Sequence, residues 1–136
     1  MLMMRRRWLP IGLGTLVVPL GLWLRFSAPV PEWLRDGSGG VLYVLFWMLA
    51  FLVVNPDTPS SRLAVTVFIA TCGVEFSQAI HVAWLERLRA TLPGRLILGT
   101  MFSWGDFPPY AVGAILGWLV LRAKEKSRLT RAGSRP

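Results

Sequence analysis

The stretch that decides the fold lies at residues 72–117 and reads CGVEFSQAIHVAWLERLRATLPGRLILGTMFSWGDFPPYAVGAILG. Its first part is an apolar run that carries Glu75, Gln78 and His81 at intervals of three residues. Side chains three apart lie on adjoining turns of one helix face, so this spacing predicts a polar stripe along an apolar helix. A carboxylate in the middle of such a helix is costly to place in lipid, and we therefore expect Glu75 to face protein or water.

The second part of the stretch leads into another apolar helix. Its polar and small residues recur every three or four positions, at Asp106, Tyr110, Gly113 and Gly117. That spacing places them on one helix face, and glycines four apart allow a second helix to approach closely. We therefore expect the two helices to pack as an antiparallel hairpin whose polar residues meet around a pocket at one end.

The composition indicates the surroundings of these helices. The chain of 136 residues is 54% hydrophobic and 16% charged, with a mean hydropathy of +0.51. Its apolar residues fall in long unbroken blocks, which is typical of transmembrane helices. The predicted fold is all-α, a four-helix transmembrane bundle with helices at about residues 8–24, 41–54, 63–84 and 109–121. Residues 1–121 would form a single transmembrane domain and residues 122–136 a basic cytoplasmic tail.

The first apolar run, Trp8–Leu24, has two interpretations. It follows three consecutive arginines, as the hydrophobic region of a secretory signal does. Its 17 residues are long for such a region, which favours a retained first helix.

The distribution of lysine and arginine along the chain predicts its orientation in the membrane. Ten of the 15 lie at residues 5–7, at Arg62 and in the tail, whereas five lie in the loops at residues 25–40 and 85–105. Cytoplasmic segments carry the excess of these residues. The pattern predicts a multi-pass protein of the bacterial inner (plasma) membrane with both termini in the cytoplasm and these two loops outside. It favours headgroup contact over nucleic-acid binding as the cause of the net charge of +8.

The loop at residues 85–105 is too apolar for a solvated linker, because leucine, isoleucine, methionine and aromatic residues recur along it. A re-entrant or an interfacial segment explains such a composition, and the sequence leaves both open. Arg87, Arg89 and Arg95 would then lie at the lipid headgroups or over the mouth of the pocket.

This part of the chain resembles the domain of unknown function 2809 family of small bacterial membrane proteins. The matching residues are Glu75, Gln78, His81, Trp84, Arg89, Thr91, Gly94, Leu98, Gly99, Phe102, Trp104, Gly105, Asp106, Tyr110 and Gly113. They span about forty residues. The resemblance implies a small integral membrane fold and a residue set, and no particular reaction.

A more distant resemblance is to the VanZ family of membrane proteins linked to glycopeptide resistance. It rests on Glu75 and Gln78, a later arginine, and the Gly105-Asp106 pair with glycines one and two turns on. This chain has Tyr110 where the VanZ pattern usually has asparagine, and its intervening loop is longer. The resemblance implies a link to the cell envelope.

The candidate binding residues come from both helices and the loop: Glu75, Gln78, His81, Arg89, Asp106 and Tyr110. They would line an outward-facing polar pocket between the third and fourth predicted helices, with Arg89 meeting Asp106 at a charged rim. We expect this pocket to bind or sense an amphiphilic or cell-envelope molecule. The expected partners are the lipid bilayer and a lipid-linked or amphiphilic ligand, with no nucleic acid, and a homo-oligomer stays open.

Two alternatives remain at this point. The polar cluster could only hold the helices together, as in a structural or interaction membrane protein. Alternatively, Glu75, His81 and Asp106 could supply acid–base chemistry in a VanZ-like envelope or antibiotic-resistance enzyme. No catalytic residue is assigned, because no known nucleophile motif is present. No metal and no cofactor are expected, since one histidine with carboxylates is a poor ligand set for zinc.

Overall fold

A computed structural model describes residues 2–26 and 29–133, with side chains at residues 10–24, 29–127 and 129–130. The elements in chain order are α1 (Leu2–Phe26), α2 (Glu32–Val54), α3 (Ser60–Gln78), α4 (Ala83–Arg89), α5 (Leu92–Leu98), a 3-10 turn (Trp104–Asp106) and α6 (Phe107–Gly133). The described residues thus form helices and no strand, which confirms the all-helical prediction. Residues 134–136 of the predicted tail lie outside the described residues.

Four long helices form the body of the protein. α1 packs on α2, α2 and α3 both pack on α6, and α2 meets α3 along a smaller surface. Gly40 of α2 lies against Tyr110, and Met48, two turns further along α2, lies against Gly117. Residue numbers therefore rise together along the contact, so α2 and α6 run parallel.

The buried core is small and lies between α2, α3 and α6. Val44 and Met48 come from α2, Leu63 and Val67 from α3, and Ala114 from α6. Residues on each helix are four apart, as one buried helix face requires. α1 contributes no residue to this core among the described side chains, so it forms an outer layer on α2.

The glycine pair of α6 contacts α2. A Cβ at Gly113 would lie 2.8 Å from the Val41 carbonyl oxygen, and one at Gly117 would lie 2.5 Å from the Met48 sulfur. The expectation that these glycines pack on the preceding long helix is therefore wrong, although α3 does contact α6 on another face. Small residues allow close approach, but their spacing does not specify which helix approaches.

The predicted helix at residues 63–84 ends early. α3 stops at Gln78, and the chain turns through 112° before α4 begins at Ala83. The helix predicted at 41–54 begins nine residues earlier, at Glu32, and includes Gly40, whose missing side chain admits Pro109 and Tyr110. The helix predicted at 109–121 continues through the tail to Gly133.

A side chain in the second half of α6 forms hydrogen bonds with the first residue of α3. Glu125 accepts hydrogen bonds from the Ser60 N–H at 3.0 Å and from the Ser60 hydroxyl at 2.8 Å. The first N–H groups of a helix have no partner within it and carry partial positive charge, so a carboxylate stabilises them. Glu125 therefore links the predicted tail to the helical body.

Length and apolarity qualify few of these helices as membrane spans. Among the described residues, α2 is long and apolar enough to cross a bilayer by itself, and α3 with α4 would add a second if the bent pair counts as one span. The apolar part of α1, Pro10–Leu24, is shorter. These criteria give weak support for a membrane protein, and they do not establish the four-span bundle.

Candidate functional site

The Glu75 carboxylate is the centre of a buried hydrogen-bonded cluster. Its side chain is 0% exposed. One oxygen, Oε1, accepts from the Ser103 main-chain N–H at 2.6 Å. The other, Oε2, accepts from the Tyr110 hydroxyl at 3.0 Å and from Gln78 Nε2 at 3.2 Å. Each of the three partners carries a hydrogen that can be donated, and the two oxygens of Glu75 are the acceptors.

Three elements bring this cluster together. Glu75 and Gln78 lie on the last turn of α3, three residues apart, which places their side chains side by side. Tyr110 comes from the first turns of α6, beside Gly40 of α2. Ser103 follows α5 and contributes its backbone, so the cluster joins the main helices to the chain between them.

The segment at residues 99–103 lies directly against the cluster, next to Glu75 and Gln78. Gly99 adopts φ +65°, a conformation that favours glycine, and a Cβ there would lie 2.5 Å from Gln78 Nε2. The chain itself therefore fills the space where the sequence predicts an open pocket. Two apolar surface grooves lie elsewhere, between α1 and α2 and between α3 and α6, and Glu75 lines neither.

Four aromatic rings pack together close to the cluster in sequence. Phe76, Phe102, Trp104 and Phe107 contact one another, with ring centroids 5.0–6.2 Å apart. Phe76 is adjacent in sequence to Glu75, and Phe102 and Trp104 flank Ser103. The ring cluster therefore lies next to the part-buried hydrogen bond between Ser103 and Glu75, although Phe76 and Trp104 are themselves largely exposed.

Arg89 ends α3. Its guanidinium is buried and donates to the carbonyl oxygens of Ser77, at 2.5 Å, and Ile80, at 3.1 Å, while its only described ion pair is with Glu86 at 3.5 Å. The last carbonyls of a helix are unpaired and partly negative, so a buried arginine there is favourable. The predicted rim contact between Arg89 and Asp106 is therefore wrong.

His81 and Asp106 lie outside the hydrogen-bonded cluster. His81 is exposed in the bend after α3, with Nδ1 3.2 Å from the Ala79 carbonyl oxygen, so helical spacing no longer relates it to Gln78. Asp106 is half-buried, and its carboxylate accepts no hydrogen bond from the described residues. Burial raises the pKa of Asp106, and the nearby charges of Glu75 and Asp36 raise it further.

Of the six predicted site residues, the structure joins Glu75, Gln78 and Tyr110 directly. The sequence analysis missed Ser103 and Tyr43 and named Gly99 only for the family resemblance. The Tyr43 hydroxyl donates to the Ile97 carbonyl at 2.5 Å and holds the end of α5. Tyr43 could have been found, because its hydroxyl stands out in an apolar run. Ser103 could not, because it acts through a main-chain N–H that every residue except proline has.

The hydrogen bonds of the cluster hold separate chain segments together. No group of three or more histidine, cysteine, aspartate or glutamate side chains in the described part of the chain could hold a metal ion. The chemistry that the cluster performs in this arrangement is positioning: it fixes residues 99–103 and, with Arg89, the helices α4 and α5.

The chain matches one family of known proteins, described as "Protein of unknown function (DUF2809)", over residues 30–114. That range includes every member of the hydrogen-bonded cluster as well as α4 and α5. No solved structure matches the chain. The VanZ resemblance gains nothing from this match and stays a prediction. Since the match covers more than half of the 136 residues, this chain belongs to the DUF2809 family, whose function is unknown.

Proposed function

We propose that this is an integral membrane protein that crosses the bacterial inner membrane four times, through α1, α2, α3 and α6, and binds an amphiphile of the cell envelope at its outer end. The observation that carries the proposal is the distribution of polarity. Large apolar side chains cover the outside of the helices, such as Leu16 at 66% and Ile69 at 63% exposure, whereas Glu75 and Arg89 are buried. An exposed apolar surface of this extent is unfavourable in water and favourable in lipid.

Helix lengths agree with this placement. At about 1.5 Å per residue, the 19 residues of α3 extend about 28 Å and the 23 residues of α2 about 34 Å, against a hydrocarbon thickness of about 30 Å. α6, with 27 residues, is longer than one span needs, and its last turns carry Arg122, Lys124 and Lys126. The excess of lysine and arginine at this end supports a cytoplasmic position for both termini, which leaves α4 and α5 outside.

The closed cluster changes where an amphiphile would bind. Because residues 99–103 already occupy the space above Glu75 and Gln78, the binding surface is the outer face of α4 and α5 rather than a cavity around Glu75. The same closure favours a second candidate function, in which the cluster is only a joint and the protein is a structural or interaction component of the membrane.

Identification of co-purified lipid separates the two candidates. We would purify the protein in mild detergent from cells grown on isotopically labelled acetate and compare its bound lipids with the total membrane extract. Enrichment of one amphiphile, lost when α4 and α5 are altered, supports the binding function. A bound fraction with the composition of the bulk membrane would instead leave the structural function.

A further inference from the structure

The helices α4 and α5 repeat one arrangement of side chains. Each presents an apolar residue, then an arginine three positions later, then a leucine: Trp84, Arg87 and Leu88 in α4, and Leu92, Arg95 and Leu96 in α5. Positions i, i+3 and i+4 share one side of a helix. All six side chains are exposed, so both helices carry an outward apolar surface with an arginine set into it.

This helical pair is built rigidly. Arg89 fixes α4 to the end of α3 through Ser77 and Ile80. A side chain at Gly94 would collide with the Leu88 carbonyl, so the start of α5 lies directly on the end of α4. Thr91 donates to that same carbonyl at 2.7 Å and accepts from the Gly94 N–H at 3.1 Å. The outward apolar surface is thus held in place by the structure and does not belong to a loose loop.

The exposed groups of α4 and α5 have no partner among the side chains that the structure describes. Leu92 is 72% exposed, Leu96 65% and Trp84 64%. Neither Arg87 nor Arg95 forms an ion pair or side-chain hydrogen bond with any described residue, and the adjacent acid, Glu86, pairs with Arg89. The pair of helices therefore presents two unpaired positive charges together with apolar side chains.

We infer that α4 and α5 lie in the outer membrane interface and bind the phosphate headgroups of anionic lipids through Arg87 and Arg95. This inference rests on the proposed function and names the chemical class of the amphiphile. If α3 crosses the membrane, the 112° bend places α4 close to the membrane plane. Leucine and tryptophan then enter the acyl boundary, while the arginines reach the headgroups. The planar guanidinium fork matches two phosphate oxygens.

The test measures which lipid lies beside the helical pair. Cys72 is the single cysteine, so a Cys72→Ser, Ala90→Cys protein carries one bimane fluorophore at an exposed site between α4 and α5. It is reconstituted in phosphatidylcholine vesicles containing chain-spin-labelled phosphatidylglycerol or phosphatidylcholine. We expect phosphatidylglycerol to quench the fluorophore at lower mole fractions. Loss of both charges in Arg87→Ala/Arg95→Ala should weaken this preference about tenfold or more.

A matched control removes the same charge at the opposite end, as Arg62→Ala/Lys126→Ala, and should keep the preference. Arg87→Lys/Arg95→Lys should keep part of the preference for phosphatidylglycerol, because lysine retains the positive charge but lacks the planar guanidinium group. Equal quenching by both lipids, or an unchanged preference in Arg87→Ala/Arg95→Ala, would overturn the inference. Quenching by neither lipid would overturn it as well. If cysteine labelling still reports four spans in these cases, the failure lies with the lipid site and not with the membrane placement.

Discussion

The two oxygens of the Glu75 carboxylate meet different kinds of donor. Oε1 faces the Ser103 main-chain N–H, which can only donate, whereas Oε2 faces Gln78 and Tyr110. A side-chain amide can turn over and a hydroxyl can accept. A glutamine at position 75 can therefore keep its oxygen toward Ser103 and donate to the other two partners.

This difference between the two oxygens predicts that Glu75→Gln and Glu75→Leu have clearly different unfolding temperatures. The glutamine variant should unfold close to the wild-type temperature. The leucine variant removes the acceptor of the Ser103 N–H, a part-buried hydrogen bond whose loss costs about 1 kcal/mol, and should unfold at a lower temperature. Thermal unfolding in one detergent, followed by circular dichroism, measures both. Equal loss in the two variants would mean that the charge of Glu75, and not its hydrogen bonding, holds the cluster.

Asp106 predicts a pH effect of definite sign. Its pKa in the folded protein is raised from the ordinary value of 3.8, so the folded state favours the protonated carboxyl. That contribution is complete below the unfolded-state pKa and is lost as the pH rises through the higher folded-state value. Asp106→Asn should therefore be at least as stable as wild type near neutral pH and should lose less stability than wild type as the pH rises. Melting curves between about pH 4 and pH 7 measure this.

Asp36→Asn is the companion variant for this prediction. It removes one of the two charges that raise the Asp106 pKa and leaves Glu75 in place, so its pH dependence should lie between those of wild type and Asp106→Asn. A steeper loss of stability with rising pH in Asp106→Asn than in wild type would contradict the assignment.

At this scale the sequence identified those residues whose own polarity is unusual for their surroundings. Glu75, Gln78 and Tyr110 are polar groups in apolar helices, and such groups must find partners. The role of Arg89 could not be read in this way. Its acceptors are carbonyls of Ser77 and Ile80, and these become available only because α3 ends there.

At the scale of elements, both ends of α3 depend on distant side chains. Arg89 donates to the Ser77 carbonyl in its last turn, and Glu125 accepts from its first N–H. No proline or glycine lies at residues 78–82 to indicate the end of the helix, which explains why periodicity carries the predicted helix on to Trp84. The last predicted helix likewise ends at residue 121, where the basic tail begins, although alanine, lysine and glutamate in the tail favour helix and α6 continues to Gly133.

The Glu125 link predicts a stability effect from a residue far outside the core. Glu125→Ala removes both hydrogen bonds to Ser60 and should lower the free energy of unfolding by about 1 kcal/mol. Lys126→Ala, one position away on the same exposed segment, should have little effect. Comparison of the two unfolding temperatures tests this, and the helical interpretation of the tail fails if Glu125→Ala is as stable as Lys126→Ala.

The contact between α2 and α6 predicts opposite outcomes for one substitution at two glycines. Gly113→Ala places a methyl group 2.8 Å from the Val41 carbonyl oxygen and must separate the helices. Gly73→Ala, in the exposed middle of α3, meets nothing within 4 Å and should stabilise its helix by about 0.5–1 kcal/mol. Unfolding temperatures that fall for Gly113→Ala and rise for Gly73→Ala are expected. A rise for both would contradict the close packing of α2 on α6.

For the whole molecule, the proposed orientation predicts which ends are reachable from outside the cell. On a Cys72→Ser background, Asp36→Cys lies at the outer start of α2 and Ser61→Cys at the inner start of α3, and both positions are exposed. A membrane-impermeant maleimide applied to intact cells should label position 36 and should label position 61 only after permeabilisation. Labelling of position 61 alone would reverse the orientation, and labelling of both would contradict four spans.

The long distances along the chain between Glu75 and its partners have a consequence for biosynthesis. Ser103 and Tyr110 follow Glu75 by 28 and 35 residues. At 5–20 residues per second, a ribosome needs about 2–7 s to add the later partner. In a chain inserted as we propose, α3 therefore leaves the ribosome with a carboxylate that has no distant partner yet. It should stay beside the insertion machinery until α6 arrives, so that the last two long helices enter the bilayer together.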